Sequence, residues 1–354
     1  MIEIGGLKYI SPLDDEKRIG KDIECLEEYG LVEENSREIL KGHLPKRFVR
    51  LSSSYFMDYI NEIKNNPNSS YETYLDRDLI RGDYVPRNFS VLIKYDTNDL
   101  AYLKGEINDV LPQITSELCA PVIMNELGVK TVYNSILIEH SGYAQYVLSI
   151  DAVKPNEEVF CLENFMSCIF SGWIETGLDI VKHYVEDLLK RECGVPQEQI
   201  KGSEYQQKIK ELQDEFMVRY LANVVVLGNC DYNARNYAFL VNKKTKEIRT
   251  FPCFDYEFCF NGCFFKNQVK ENVKIIRERN PKLLESFALK LRELIKCKKN
   301  GSSRLYEVLK KTLDGVTEKG IYDYIISQNI ESFFDVYKDV VCDEKTNLNQ
   351  LKYL

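Results

Sequence analysis

The spacing of apolar and polar positions changes twice along this chain, and the changes divide it into three regions. Residues 1–88 are polar and broken by turn signals such as NNPNSS at 65–70, with short helices expected around 22–29 and 55–64. From Phe89 the runs FSVLIKY and LAYLKGE, joined by the polar turn DTND, read as a β-hairpin. The following stretch, PQITSELCAPVIMNELG, has helical spacing, with Pro112 suited to the first turn and Gly128 to the C-terminal cap. Pro121 inside it removes the hydrogen bond to the Glu117 carbonyl, which predicts a kink or a break. KTVYNSILIEH and AQYVLSI, around Ser141-Gly142, supply two further strands.

After Ile150 the strands almost stop. LENFMSCIFSGWIETGLDIVKHYVEDLLKREC and EYQQKIKELQDEFMVRYLANVVVLG are long amphipathic stretches, and in the second Phe216, Tyr220, Leu221, Val224 and Val225 share a helical face. Two short strands, NYAFLVN and EIRTFPCFD, follow around the turn KKTK. The remainder, PKLLESFALKLRELIKC, RLYEVLKKTLD and GIYDYIISQNIESFFDVYKDVV, is helical. The predicted class is α+β in two lobes, a small β-rich N-lobe and a larger, mainly helical C-lobe. Residues 1–88 form an N-terminal extension packed on the N-lobe, 89–150 the N-lobe, and 151–354 the C-lobe with the polar hairpin where the lobes meet. No internal repeat or low-complexity tract is visible.

A chain of 354 residues with 44% hydrophobic positions can bury the core that two such lobes need. A formal net charge of -8 gives no reason to expect a nucleic-acid or anionic-membrane partner. The 11 cysteines are odd in number and contain no C-x-x-C pair, and His43, His140 and His183 are far apart, so scattered reduced thiols are expected rather than disulfides or zinc. The N-terminus lacks a basic segment followed by an apolar core, and no window approaches ~18 apolar residues. A soluble protein in the cytoplasm is the expectation.

The chemistry concentrates in LGNCDYNARNYAFL, residues 227–240, and in the aspartate that ends the next strand. Phosphoryl transfer from ATP needs a carboxylate to orient the attacking hydroxyl and accept its proton, with oxygen ligands that hold Mg2+ on the phosphates. Asp231 suits the base, and Asn236 and Asp255 suit the metal ligands, since magnesium takes carboxylate, amide carbonyl and water. Asn229 and Asp231 also suit the plain capping of a turn, and the loop alone does not choose between the two. A second pair supports the chemical reading. Lys104 closes the hairpin and Glu117 lies in the next helix, an arrangement in which a strand lysine holds the α- and β-phosphates while a helix carboxylate fixes it. The order lysine, glutamate, interlobe strand, long helices, base, ligand, ligand is that of a bilobal kinase.

SELCAPVIMNELGVKTVYNSIL and VVVLGNCDYNARNYAFLVNKKTKEIRTFPCFD resemble the HipA-like serine/threonine kinases, most closely the compact branch that contains cell-translocating kinase A. The resemblance spans roughly 89–260 and leaves the first ~88 residues unmatched. It implies a protein-kinase-like fold, ATP and Mg2+ as cofactors, and a protein substrate. It also implies Asp231 as catalytic aspartate, Asn236 and Asp255 as magnesium ligands, and Lys104 with Glu117 at the phosphates. Backbone groups of Ile150, Asp151, Ala152 and Val153 would receive adenine, and Arg235 would touch the γ-phosphate. Two departures stand out. The histidine usual two residues after the catalytic aspartate is Asn233 here, and neither DTND nor RGDYVPRN supplies a glycine-rich turn, the latter holding only Gly82. Three functions therefore share these residues: a serine/threonine protein kinase, a small-molecule phosphotransferase of the aminoglycoside kind, and a nucleotide-binding pseudokinase scaffold. The second group usually has histidine where this chain has Asn229.

Overall fold

The computed structural model describes residues 2–4, 7–10, 46–96, 113–139, 145–162, 174–229, 232, 234–256, 259–260, 266–297, 301–313 and 325–342. Its larger sheet contains β1 (Ile2–Ile4), β2 (Leu7–Ile10), β3 (Lys46–Ser52), β4 (Asn88–Asp96), β5 (Asn134–Glu139) and β6 (Gln145–Ile150) in the order β1-β2-β5-β6-β4-β3. Only the β2–β5 pairing is parallel. Three of the six strands come from the first 88 residues, so that region builds sheet as well as covering it.

Alternation along β4 decides what the sheet buries. Phe89 and Val91 are fully buried, in register with Leu51, Val49 and Ile150 on the neighbouring strands, whereas Ser90 and Leu92 are half-buried. Against Phe89 and Val91 packs the helix Met57–Asn65, whose Tyr59, Ile60 and Ile63 form one apolar face. Asp58 in its first turn and Lys64 in its last complement the helix dipole. Tyr59 meets the Phe89 ring edge-on at 6.1 Å and hydrogen-bonds the Thr73 hydroxyl at 2.7 Å. Burying each such side chain is worth about 1.5–3 kcal/mol.

The helix Gln113–Leu127 runs through Pro121 as one element, so of the expected kink or break the break is absent. It ends where Gly128 adopts a φ of +73°. The Val129 N–H reaches the Met124 carbonyl at 2.9 Å and the Gly128 N–H the Asn125 carbonyl at 3.0 Å, the two bonds of a left-handed C-terminal cap.

The largest apolar core is built on the helices Ile174–Arg191, Ser203–Tyr220, Lys266–Arg279, Pro281–Ile295 and Glu331–Cys342, and the helix Gln113–Leu127 packs into it through Cys119, Ile123, Met124 and Leu127. Phe216, Tyr220, Leu221, Val224 and Val225 are all buried there. Their spacing is not uniform, because Ser203–Tyr220 passes into a π-helix at Leu221–Val226 in which every residue is buried. A three-stranded sheet, β7 (Glu158–Cys161), β8 (Ala238–Asn242) and β9 (Glu247–Thr250), contains the hairpin around KKTK plus one strand absent from the sequence reading. The helix Lys266–Arg279 was likewise not foreseen.

A short ladder joins the halves. Parallel bridges link Tyr71 to Thr131 and Thr131 to Cys253. The described cysteines are free thiols, and no described helix is long and apolar enough to cross a membrane.

Candidate active site

Asn236 ends the 3-10 turn Ala234–Asn236, two residues before β8. The pairing Phe239↔Thr250 and the bond from the Phe251 N–H to the Ala238 carbonyl at 2.8 Å fix one end of the hairpin. The incoming chain at that end carries Asn236 and the outgoing one reaches Asp255, so both leave the same end of β8–β9. Asn236 is buried and Asp255 half-buried.

Asp255 has a φ of +63°, a backbone state that aspartate tolerates because its short polar side chain can bond locally. Anchors on both sides hold it there. Before it, the Cys253 N–H donates to the Lys130 carbonyl at 2.9 Å and the Val132 N–H to the Cys253 carbonyl at 3.1 Å. After it, the Tyr256 and Thr131 hydroxyls are 2.6 Å apart, and the Cys259 carbonyl accepts from the Ser116 hydroxyl at 3.2 Å. The last bond ties the segment beyond Asp255 to the helix that carries Glu117.

Glu117 is buried beneath the larger sheet. The Asn134 amide donates to its main-chain carbonyl at 2.9 Å and to its Oε2 at 3.0 Å, and the Ser149 hydroxyl donates to Asn134 Oδ1 at 2.6 Å. Asn134 and Ser149 are direct cross-strand partners on β5 and β6. Strand β6 continues into the linker at Ile150, Asp151, Ala152 and Val153.

The linker's backbone is heavily engaged within the protein. The Ile150 N–H donates to the Tyr133 carbonyl at 3.1 Å, the Asp151 N–H to the Ser90 carbonyl at 3.0 Å, and the Tyr74 N–H to the Asp151 carbonyl at 2.8 Å. The Val153 N–H donates to Asp151 Oδ1 at 3.0 Å, and Arg249 donates to the Ala152 carbonyl at 2.9 Å while forking onto Glu157 and pairing with Glu72. The N–H groups of Ile150, Asp151 and Val153 and the carbonyls of Asp151 and Ala152 thus have partners within the protein.

The approach to residues 229–236 is fixed by two π-helices. Leu221–Val226 packs against Ile325–Ile330, and Asn329 from the latter donates to the Val226 carbonyl at 2.9 Å. Gly228 then takes a φ of +60°, where a Cβ would lie 3.1 Å from Asn329 Nδ2 and 3.4 Å from its Oδ1. Gly228→Ala is therefore expected to cost about 1–3 kcal/mol, read as a lowered urea midpoint with unchanged slope. A wild-type midpoint in that variant would show the turn to be unconstrained.

Asp231, Asn233, Lys104 and the Arg235 side chain lie outside the described residues. Two residues passed over in the sequence stand out here. Lys94 ends the run FSVLIK on β4, directly in register with Val147 of β6. Asn134 opens β5. The signal for the first was a lysine near the close of an apolar strand; for the second it was only the missing N–H of Pro121.

Burial pushes the Cys119, Cys193 and Cys253 thiols up, so none of the three is poised as a thiolate nucleophile. A cavity of about 620 Å³ lies beside the linker, bordered by Tyr74, Asp76, Arg77 and Lys154, and another of about 190 Å³ lies behind the Gln113–Leu127 helix. Asn236 and Asp255 line neither.

No protein-family model matches this chain, and no curated protein matches it in sequence. Among solved structures, it is similar to the crystal structure of a Helicobacter pylori proinflammatory kinase, CtkA, with 15% sequence identity and a TM-score of 0.43, over 72% of this chain and 91% of that one.

Proposed function

We propose that this chain is an ATP-dependent phosphotransferase of the protein-kinase type, with serine or threonine of a protein as acceptor. The observation that supports the reading is the placement of Asn236 and Asp255 at one end of the β8–β9 hairpin, with the segment beyond Asp255 hydrogen-bonded to the helix of Glu117. Asp231, five residues before Asn236 in the same loop, is the base that orients the acceptor hydroxyl and takes its proton.

The donor set fits magnesium. An amide carbonyl and a carboxylate are hard oxygen ligands, and the nearby Cys253 thiol is kept neutral by burial and accepts a hydrogen bond from Asn223 at 3.5 Å. When bound, the ion neutralises phosphate oxygens and aligns the γ-phosphoryl group for transfer. Lys94 is a second candidate for the phosphate-holding lysine beside Lys104: strand β4 is hydrogen-bonded to β6, whose Ser149 reaches Glu117 through Asn134.

Incubation with labelled ATP and magnesium is expected to put phosphate on serine or threonine of the protein itself or of a general protein substrate. Transfer only to small alcohols would favour the small-molecule reading. Mg·ATP at about one hundred times its Kd should stabilise the fold by roughly 2.7 kcal/mol, and Asp255→Ala should lose the magnesium-dependent part of that shift. An undiminished shift in the variant would remove Asp255 from the metal site. Lys94→Met and Lys104→Met then decide the lysine by which one weakens ATP binding.

A further inference from the structure

We infer that Asn134 is a positioning residue for the Glu117 carboxylate, and that Pro121 is the reason it can be; the inference rests on the phosphotransferase reading above. In an α-helix the carbonyl of residue 117 accepts from the N–H four residues on, and at 121 that residue is proline, which has none. The orphaned carbonyl sits where water is excluded, since Glu117 is 3% and Asn134 6% exposed. A buried carbonyl without a partner is costly, so its donor must come from another element.

That donor is the side-chain amide of Asn134, 17 residues away on β5. Its two hydrogens divide between the main-chain oxygen and the carboxylate Oε2 of the same glutamate. One amide therefore fixes the helix at Glu117 and the direction of the Glu117 side chain together. The amide itself is oriented by the Ser149 hydroxyl, which donates to Oδ1 and so forces the NH2 group toward the helix. Proline, asparagine and serine thus register the carboxylate against β5 and β6 rather than against its own helix, and β6 is the strand that runs into the linker.

The two roles separate by substitution. Asn134→Ala removes both bonds, taking the amide from the carbonyl and from the carboxylate Oε2. Adding Pro121→Ala restores an N–H to the Glu117 carbonyl but nothing to Oε2. The expected result is a lower melting temperature for Asn134→Ala, largely recovered in the double variant, while kcat with Mg·ATP falls about 10- to 100-fold in both, as misplacement of a supporting group by ~1 Å can cause. Recovery of kcat together with melting temperature in the double variant would reduce Asn134 to a structural role and overturn the inference. So would wild-type kcat in Asn134→Ala. A wild-type protein inert toward Mg·ATP overturns the enzymatic reading and this role with it, whereas an active wild type with an unimpaired Asn134→Ala variant overturns the positioning role alone.

Discussion

Asp231→Asn is expected to lower phosphoryl transfer by on the order of 10²–10⁴-fold, the range a positioned general base contributes, with melting temperature and Mg·ATP affinity close to wild type. The substitution keeps shape and hydrogen-bonding reach but removes the ability to accept a proton. The fold should tolerate it because the loop is anchored on both sides by groups other than Asp231. Upstream, the Asn229 N–H donates to the Asn223 carbonyl at 2.9 Å and Asn329 holds the Val226 carbonyl. Downstream, Tyr232 and Ala234 are buried and β8 is paired on both edges. Single-turnover transfer measured beside a nucleotide-binding thermal shift separates chemistry from binding. Full activity in the variant would take Asp231 out of the mechanism.

The second large effect is on stability. Arg219 is 1% exposed, and its guanidinium donates to the Phe251 carbonyl at 2.5 Å, to Thr250 Oγ1 at 2.7 Å and to Glu215 at 2.7 Å, with the Tyr237 ring 5.4 Å away. Arg219→Met leaves the Phe251 carbonyl without its donor and the half-buried Glu215 carboxylate with only Lys130 and Thr250, and breaking one side of a buried pair costs up to about 3–5 kcal/mol. Arg219→Met/Glu215→Gln should regain part of that loss, because no uncompensated charge remains.

The pair also sets a pH dependence. Burial tends to raise the Glu215 carboxyl, but the charges of Arg219 and Lys130 and the hydrogen bond from Thr250 outweigh it and hold the group below its usual value. A depressed carboxyl stabilises the fold fully above its unfolded pKa of about 4.3, and that contribution disappears as pH falls through the folded value. Urea unfolding between neutral and acid pH should show wild type losing stability over that window and Arg219→Met losing less. Equal losses would assign the acid sensitivity elsewhere. Since Arg219 holds Phe251 at the start of the segment leading to Asp255, the variant should also weaken Mg·ATP binding.

Much of the architecture was legible because local pattern and tertiary environment agree. The alternation of FSVLIKY matches a strand with one buried face, Gly128 caps the helix as its position implied, and KKTK turns the hairpin that carries Asn236 and Asp255 at one end. Other features arise only from contacts distant in sequence. Strand β7 is the four residues EVFC, too short to show a period, and exists because β8 offers it an edge. The run LANVVV is apolar throughout, so no periodicity could show that it winds as a π-helix. KNQVKENVKIIRER is so rich in charge that its buried Val269, Val273 and Ile276 do not stand out. Pro121 gave a misleading signal: the missing hydrogen bond was correctly placed, but its replacement by Asn134 belongs to another strand.

The central claim is that Asn236 and Asp255 hold a magnesium nucleotide at their end of the β8–β9 hairpin. A crystal structure with a non-hydrolysable ATP analogue and magnesium tests it most directly. The account predicts a metal about 2.0–2.1 Å from the Asn236 amide oxygen and an Asp255 carboxylate oxygen, bridging to the phosphates. Triphosphate bound elsewhere, or bound with those two oxygens turned away from it, would contradict the account.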